Sequence, residues 1–248
     1  MIRRAAAALI LAAALLWAPG AARAADLVAD LSDHLVAITT GFAGIDVLLY
    51  GAVGEPGDII VVVRGPERRT TLRRKSQVAG IWMNTNSMAF ERVPVYYAVA
   101  SSGPLSEIAA AGELSRLQIG VENLRPSPLS IASANIVADW RAALIRNKQR
   151  AGLYVRRVGS VSFLADTLFR TKIHFPANVP TGIYLAEVYL LRNGLVVGAQ
   201  TTPLNIRKAG TEADLYDFAH EQSGLYGLVA VFLALMAGWL AHLAFRRD

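Results

Sequence analysis

Twenty-two consecutive residues without a formal charge, Gly224 to Phe245 (GLYGLVAVFLALMAGWLAHLAF), constrain this chain more than any other feature. At about 1.5 Å per residue such a helix is roughly 33 Å long, the hydrocarbon thickness of a bilayer. A transmembrane helix is therefore expected over 223–245, with His242 as its one ionisable group and the lipid bilayer as its first partner. Arg246 and Arg247 follow at once, whereas Glu212, Asp214, Asp217 and Glu221 precede it. The positive-inside rule then places the tail, 246–248, in the cytoplasm and the rest of the chain outside. Ala230, Ala234 and Gly238 recur at spacing four and could let a second helix approach closely, giving a homo-oligomer through the span. In an alanine-rich segment the same spacing also arises by chance.

The other end agrees with export. MIRRAAAALILAAALLWAPGAARAAD has a basic start, an apolar run from Ala5 to Trp17 and a small-x-small series at Ala22-Arg23-Ala24. That pattern reads as a secretory signal peptide over 1–24, since the run is too short to span. Together the two ends predict a single-pass protein of a bacterial inner membrane with a periplasmic domain.

A net charge of +6 invites a nucleic-acid reading, but the charge sits mostly in the two ends. Between residues 25 and 245 there are 20 basic and 18 acidic residues, so no nucleic-acid partner is expected. Cysteine is absent, which excludes disulfides, thiolate zinc sites and cysteine nucleophiles.

Short strands rich in β-branched and aromatic residues fill 25–103: HLVAIT, IDVLLYG, DIIVVVR, RRTTLRRK, AGIWMN and PVYYAVA. DIIVVVR is apolar at consecutive positions, which marks a central strand. Residues 104–152 change to helical patterning. A long helix is expected from Ser127 as N-cap and Pro128 at the first position, with Ile136, Val137, Trp140, Ala143 and Leu144 as its apolar stripe. Strands resume over 153–209 with LYVRRV, SVSFLA, LFRTKIHF, GIYLAEVYLLR and LVVGAQTTPLNIR. Asn193-Gly194 signals a hairpin, because both residues tolerate the positive φ of a type I′ turn. The expected fold is mainly β: an Ig-like β-sandwich with a helical insertion, an acidic connector over 210–222, and the span. Two small β domains flanking a helical hairpin are the alternative.

RGPERRTTLRRKSQVAGIWMN, VPVYYAVASS and NVPTGIYLAEVYLLRNGLVVG, with the segment DWRAALIRNKQRAGLY, resemble a family of alphaproteobacterial transmembrane proteins of unknown function. The resemblance runs from Leu31 through the span. It implies a signal peptide, an exterior domain and one C-terminal span, and carries no activity or catalytic residue. It also implies an accessory role beside membrane proteins of sulfite-exporter type.

Enzyme motifs are missing: no GxSxG, no HExxH, no phosphate loop and no calcium loop. GAVGEPG reads as a turn between strands. His34, His174, His220 and His242 lack ligand spacing, so neither metal nor cofactor is expected. Trp82 reads as a core anchor, with an exposed recognition surface as the alternative. Tyr96 and Tyr97 point to opposite faces of one strand, and one of them is expected to face outward.

The remaining feature is RTTLRRK. Side chains alternate along a strand, so Arg69, Arg73 and Lys75 share one face and Arg68, Leu72 and Arg74 the other. With Leu72 inward, the first three form an outward ladder. Three readings stand beside one another: charge protecting a sheet edge, contact with another membrane protein, or binding of a small anion. The functional expectation is a non-enzymatic binding or accessory module of a membrane complex, with an oxyanion sensor as the alternative.

Overall fold

In the computed structural model, which describes residues 27–209, 219–220 and 222–245, DIIVVVR forms β4 (Asp58–Arg64) with every residue from Ile59 to Val63 buried. Two cores account for the unbroken apolar run. Ile59, Val61 and Val63 point into one, Ile60 and Val62 into the other. β4 lies fourth in a six-stranded sheet whose order is β2 (Leu35–Ile38), β13 (Leu195–Lys208), β12 (Gly182–Arg192), β4, β7 (Tyr97–Ser101) and β9 (Gly159–Ser160).

On one side this sheet faces a four-stranded one ordered β1 (Leu27–Leu31), β3 (Gly44–Val53), β11 (Leu168–Pro176) and β10 (Ser162–Leu164). Tyr184, Ala186, Val188 and Leu190 from β12 meet Val47, Leu49, Phe169 and Phe175 between the two sheets. Strands from before and after the helical segment alternate here, β3 beside β11 and β4 beside β12. The architecture is mainly β, with packed sheets and an inserted helical segment.

The insertion covers the sheet's other side. Ile108 from α1 (Leu105–Ile108) and Ile119 and Leu124 beyond α2 (Ala111–Arg116) pack on Ile60, Val62, Tyr97 and Tyr189. This cover corrects the expectation for the tyrosine pair. Tyr96 enters the core between the sheets, Tyr97 enters the core under the insertion, and neither faces outward.

A third element stands apart. β5 (Glu67–Val78) and β6 (Ile81–Pro94) form a long hairpin, which β8 (Ser127–Pro128) extends into a three-stranded sheet. Ala79 and Gly80, with φ of 51° and 86°, make its turn, so the strand expected at AGIWMN begins only at Ile81. It then runs far beyond Asn84. α3 (Ala134–Arg150) packs across the hairpin's base, where Trp140 and Leu144 meet Leu72, Met88, Phe90 and Val93.

Four local expectations need correction. Ser127 and Pro128 do not start the long helix, because their backbone is committed to Phe90 and Glu91 of β6; Ser133 takes the N-cap position instead. Ile136 lies on the open side of α3 rather than in its stripe. LYVRRV is not a strand, and only Tyr154 bridges to Tyr97. SVSFLA divides between sheets, β9 pairing with β7 and β10 with β11, while buried Val161 makes the crossing. Asn193 and Gly194 do form the β12–β13 turn, with φ of 52° and 77°.

The apolar C-terminal segment forms α4 (Ser223–Phe245), whose stretch Ser223–His242 has a mean hydropathy of 2.0 and is exposed throughout. The leader, the connector acids and the terminal arginines lie outside the described residues.

Candidate functional site: the basic hairpin and the arginine cavity

Leu72 is buried against α3, which fixes the orientation of β5. Arg69, Arg73 and Lys75 then stand on the opposite face, all exposed, and none makes an ion pair with a described residue. The bulge near Arg68 leaves their alternation intact because the extra residue is on β6: Arg68 faces Val93 and Thr70 faces Phe90, with Glu91 and Arg92 between. On the inner side the charges are used structurally. Arg68 donates to the Thr181 carbonyl at 2.9 Å, and the Arg74 guanidinium lies 5.2 Å from the centre of the Trp140 ring. Among the described residues β5 pairs with β6 alone, so its other backbone edge is open there.

Trp82 is not a core anchor. It is 67% exposed, and Ile81, Met83 and Val78 around it are exposed as well. No residue from Arg73 to Ser87 is buried, so the hairpin projects beyond its contact with α3 as an arm about 20 Å long. A sequence signal for this was present in the polar stretch Asn84-Thr85-Asn86-Ser87, which leaves β6 without a repeating apolar face after Met83.

The structure also assembles residues that no sequence spacing joins. A cavity of about 290 Å³ lies where the six-stranded sheet, the insertion, the hairpin and α3 meet. Arg64, Arg92, Arg116 and Arg125 line it, with Glu67 and Glu187, over walls that include Leu124, Leu144 and Tyr154. Arg64 pairs with Glu187 and donates to the Leu117 carbonyl at 2.6 Å. Arg116 pairs with Glu113, whereas Arg92 and Arg125 donate to the uncharged hydroxyls of Ser127 and Ser115. Arg92 and Gln118 both have left-handed backbone, φ of 53° and 51°, a conformation that is strained for residues other than glycine and persists only where the surroundings hold it. At Gln118 the holding bonds are visible: its carbonyl accepts from Tyr97 at 2.9 Å and from Arg64 at 3.3 Å.

Tyr97 is the keystone of this wall, since its oxygen also accepts from the Gly120 N–H. Burial pushes its phenol up to about 12, although nearby Arg64 offsets part of the rise. Burial raises Tyr96, Tyr154 and Tyr184 in the same direction. A raised phenol contributes stability that is complete below the unfolded value near 10 and is lost as pH climbs towards 12. Tyr97 alone should cost about 1 kcal/mol at roughly pH 11. The urea midpoint should hold from neutral pH to about 9 and fall by about 11; an unchanged midpoint would contradict this account.

Among the described residues no group of three or more His, Cys, Asp and Glu side chains converges as metal ligands. His174 approaches Asp46 at 2.6 Å and His34 approaches Asp30 at 3.2 Å, each as an isolated exposed pair. Ala230, Ala234 and Gly238 lie on an exposed helix, and a Cβ built at Gly238 would meet nothing within 4 Å.

A mainly β domain followed by a long apolar helix defines a membrane protein with one candidate span among the described residues. Its sequence matches, over residues 26–247, the family described as "Putative transmembrane protein (Alph_Pro_TM)", and the chain belongs to that family. No curated protein and no solved structure matches it.

Proposed function

We propose that this protein is a non-enzymatic binding or accessory module of a membrane complex. Its β-rich domain would stand on the periplasmic side of the bacterial inner membrane and its C-terminus in the cytoplasm. The observation that carries the reading is β5: a strand edge open among the described residues, whose outward face presents Arg69, Arg73 and Lys75 without an ion-pair partner among them. An extended acidic segment of a partner could add to that edge through backbone hydrogen bonds while its carboxylates meet the three cations. Another membrane protein is the partner class, and a transporter of sulfite-exporter type is what the family resemblance implies.

Cross-linking in native membranes, followed by purification in mild detergent, tests this. The wild type should bring down a membrane protein, and the triple change Arg69→Gln, Arg73→Gln, Lys75→Gln should lose it. The same change should alter stability by less than about 0.5 kcal/mol, because all three side chains are exposed. Recovery of the protein alone after cross-linking would defeat the reading.

The cavity favours a second reading, a sensor of a small oxyanion. Among the described residues the guanidinium groups of Arg92 and Arg125 there have only hydroxyl partners, so an anion could recruit both without breaking an ion pair seen there. Calorimetry of the full chain with sulfite, sulfate and phosphate should then show binding that Arg125→Gln abolishes. The absence of heat with all three anions would remove it.

A further inference from the structure

The hairpin tip poses a problem that a protein-binding face does not solve. Val78 and Ile81 are cross-strand partners, as are Gln77 and Trp82, and Ser76 and Met83. Side chains alternate, so Val78, Ile81 and Met83 project from one face of the ribbon and Trp82 from the other. All four are large, apolar and 46–68% exposed. Docking against a protein would cover one face and leave the other in water. An apolar tip that points both ways matches a surrounding medium rather than a single surface.

Charge follows the same axis. From Arg68 to Phe90 the chain has five basic residues and no acidic one. Moving back from the turn, the arm passes from apolar Val78, Ile81, Trp82 and Met83 to Lys75 across from polar Asn84, and then to Arg73 across from Ser87. Lys75 lies about 13 Å behind the turn, so a tip seated at the acyl boundary puts its ammonium among the phosphates. Trp is suited to that boundary, with its apolar rings at headgroup level and its N–H in contact with water or lipid oxygens.

We propose that the β5–β6 hairpin is a second membrane contact: its tip enters the interface of an anionic bilayer while Arg73 and Lys75 engage lipid phosphates. The chain's own span supplies the proximity, so even weak intrinsic affinity suffices, the second contact being intramolecular. This inference rests on the membrane-anchored reading and does not require a protein partner.

The chain contains no cysteine, so a single nitroxide can be placed by Met83→Cys in the full-length protein. After reconstitution into lipid nanodiscs containing phosphatidylglycerol, the label should become accessible to oxygen and shielded from a water-soluble nickel chelate. In phosphatidylcholine alone the shielding should be weaker. A label placed by Val197→Cys, on the exposed face of β13, provides the aqueous reference. Arg73→Glu with Lys75→Glu should reduce the inserted fraction about tenfold or more. Trp82→Ser should also expose the Met83→Cys label without lowering the melting temperature, because Trp82 packs in no core.

Two results would overturn the proposal. One is a Met83→Cys label as open to the nickel chelate in anionic nanodiscs as the Val197→Cys label. The other is shielding that occurs in native membranes but not in purified lipid, which would assign the tip to a protein. The first leaves the existence of a cross-linked partner open and the second would argue for one, so the two readings fail separately.

Discussion

Trp140→Ala should destabilise the protein by about 3 to 5 kcal/mol, the range for removing a large buried aromatic side chain, and should release the hairpin from the rest of the domain. Trp140 is 7% exposed and, with Leu144, closes the core formed by Leu72, Met88, Phe90 and Val93. Its outer ring face also carries the Arg74 guanidinium. That core is separate from the two that hold the six-stranded sheet, so the damage should be local. Hydrogen exchange on the full chain in detergent would show it: amides of β5 and β6 should exchange at least tenfold faster, while those of β4 and β12 keep their rates. Uniform acceleration across all three sheets would mean that the hairpin core is not an independent unit. A merely local release would still disable any function that needs the arm held at a fixed angle.

Gly51→Val should be comparably severe, costing about 3 kcal/mol or more for forced overpacking. A Cβ at Gly51 would lie 2.4 Å from the Val28 carbonyl oxygen and 2.5 Å from the Phe169 ring. Relief would require β1 to leave β3, since Gly51 is paired with Ala29 on one side and Phe169 on the other. Gly112→Ala is the control, because a Cβ there would meet nothing within 4 Å. Equilibrium urea unfolding should show a much lower midpoint for the first variant and little change for the second. Equal midpoints would refute the packing argument.

Legibility in the sequence tracked how local the determining physics is. β4, β12 and the Asn193-Gly194 turn follow from residue type alone, as does the apolar helix at the C-terminus. The face of β5 was also readable, because Leu72 is the single large apolar side chain in the basic run. What sequence could not give depended on cover supplied by distant segments. Tyr97 is inside because the insertion packs over it. Trp82 is outside because α3 reaches the base of the hairpin and not its tip. A tryptophan in a β-rich sequence looks the same in both situations. The cavity arginines, spread from Arg64 to Arg125, carry no spacing signal at all; four separate elements bring them together.

The route by which the sheet meets the membrane has a mechanical side. β13 ends at Lys208, where the chain leaves towards α4, and lies between antiparallel β12 and parallel β2. A pull directed along the axis of β13 would load it in one particular way. The hydrogen bonds to both neighbours run across that axis, so they would bear the load together in shear rather than open one at a time from an end. Loaded in that direction, the last strand would hold as a unit instead of unzipping residue by residue.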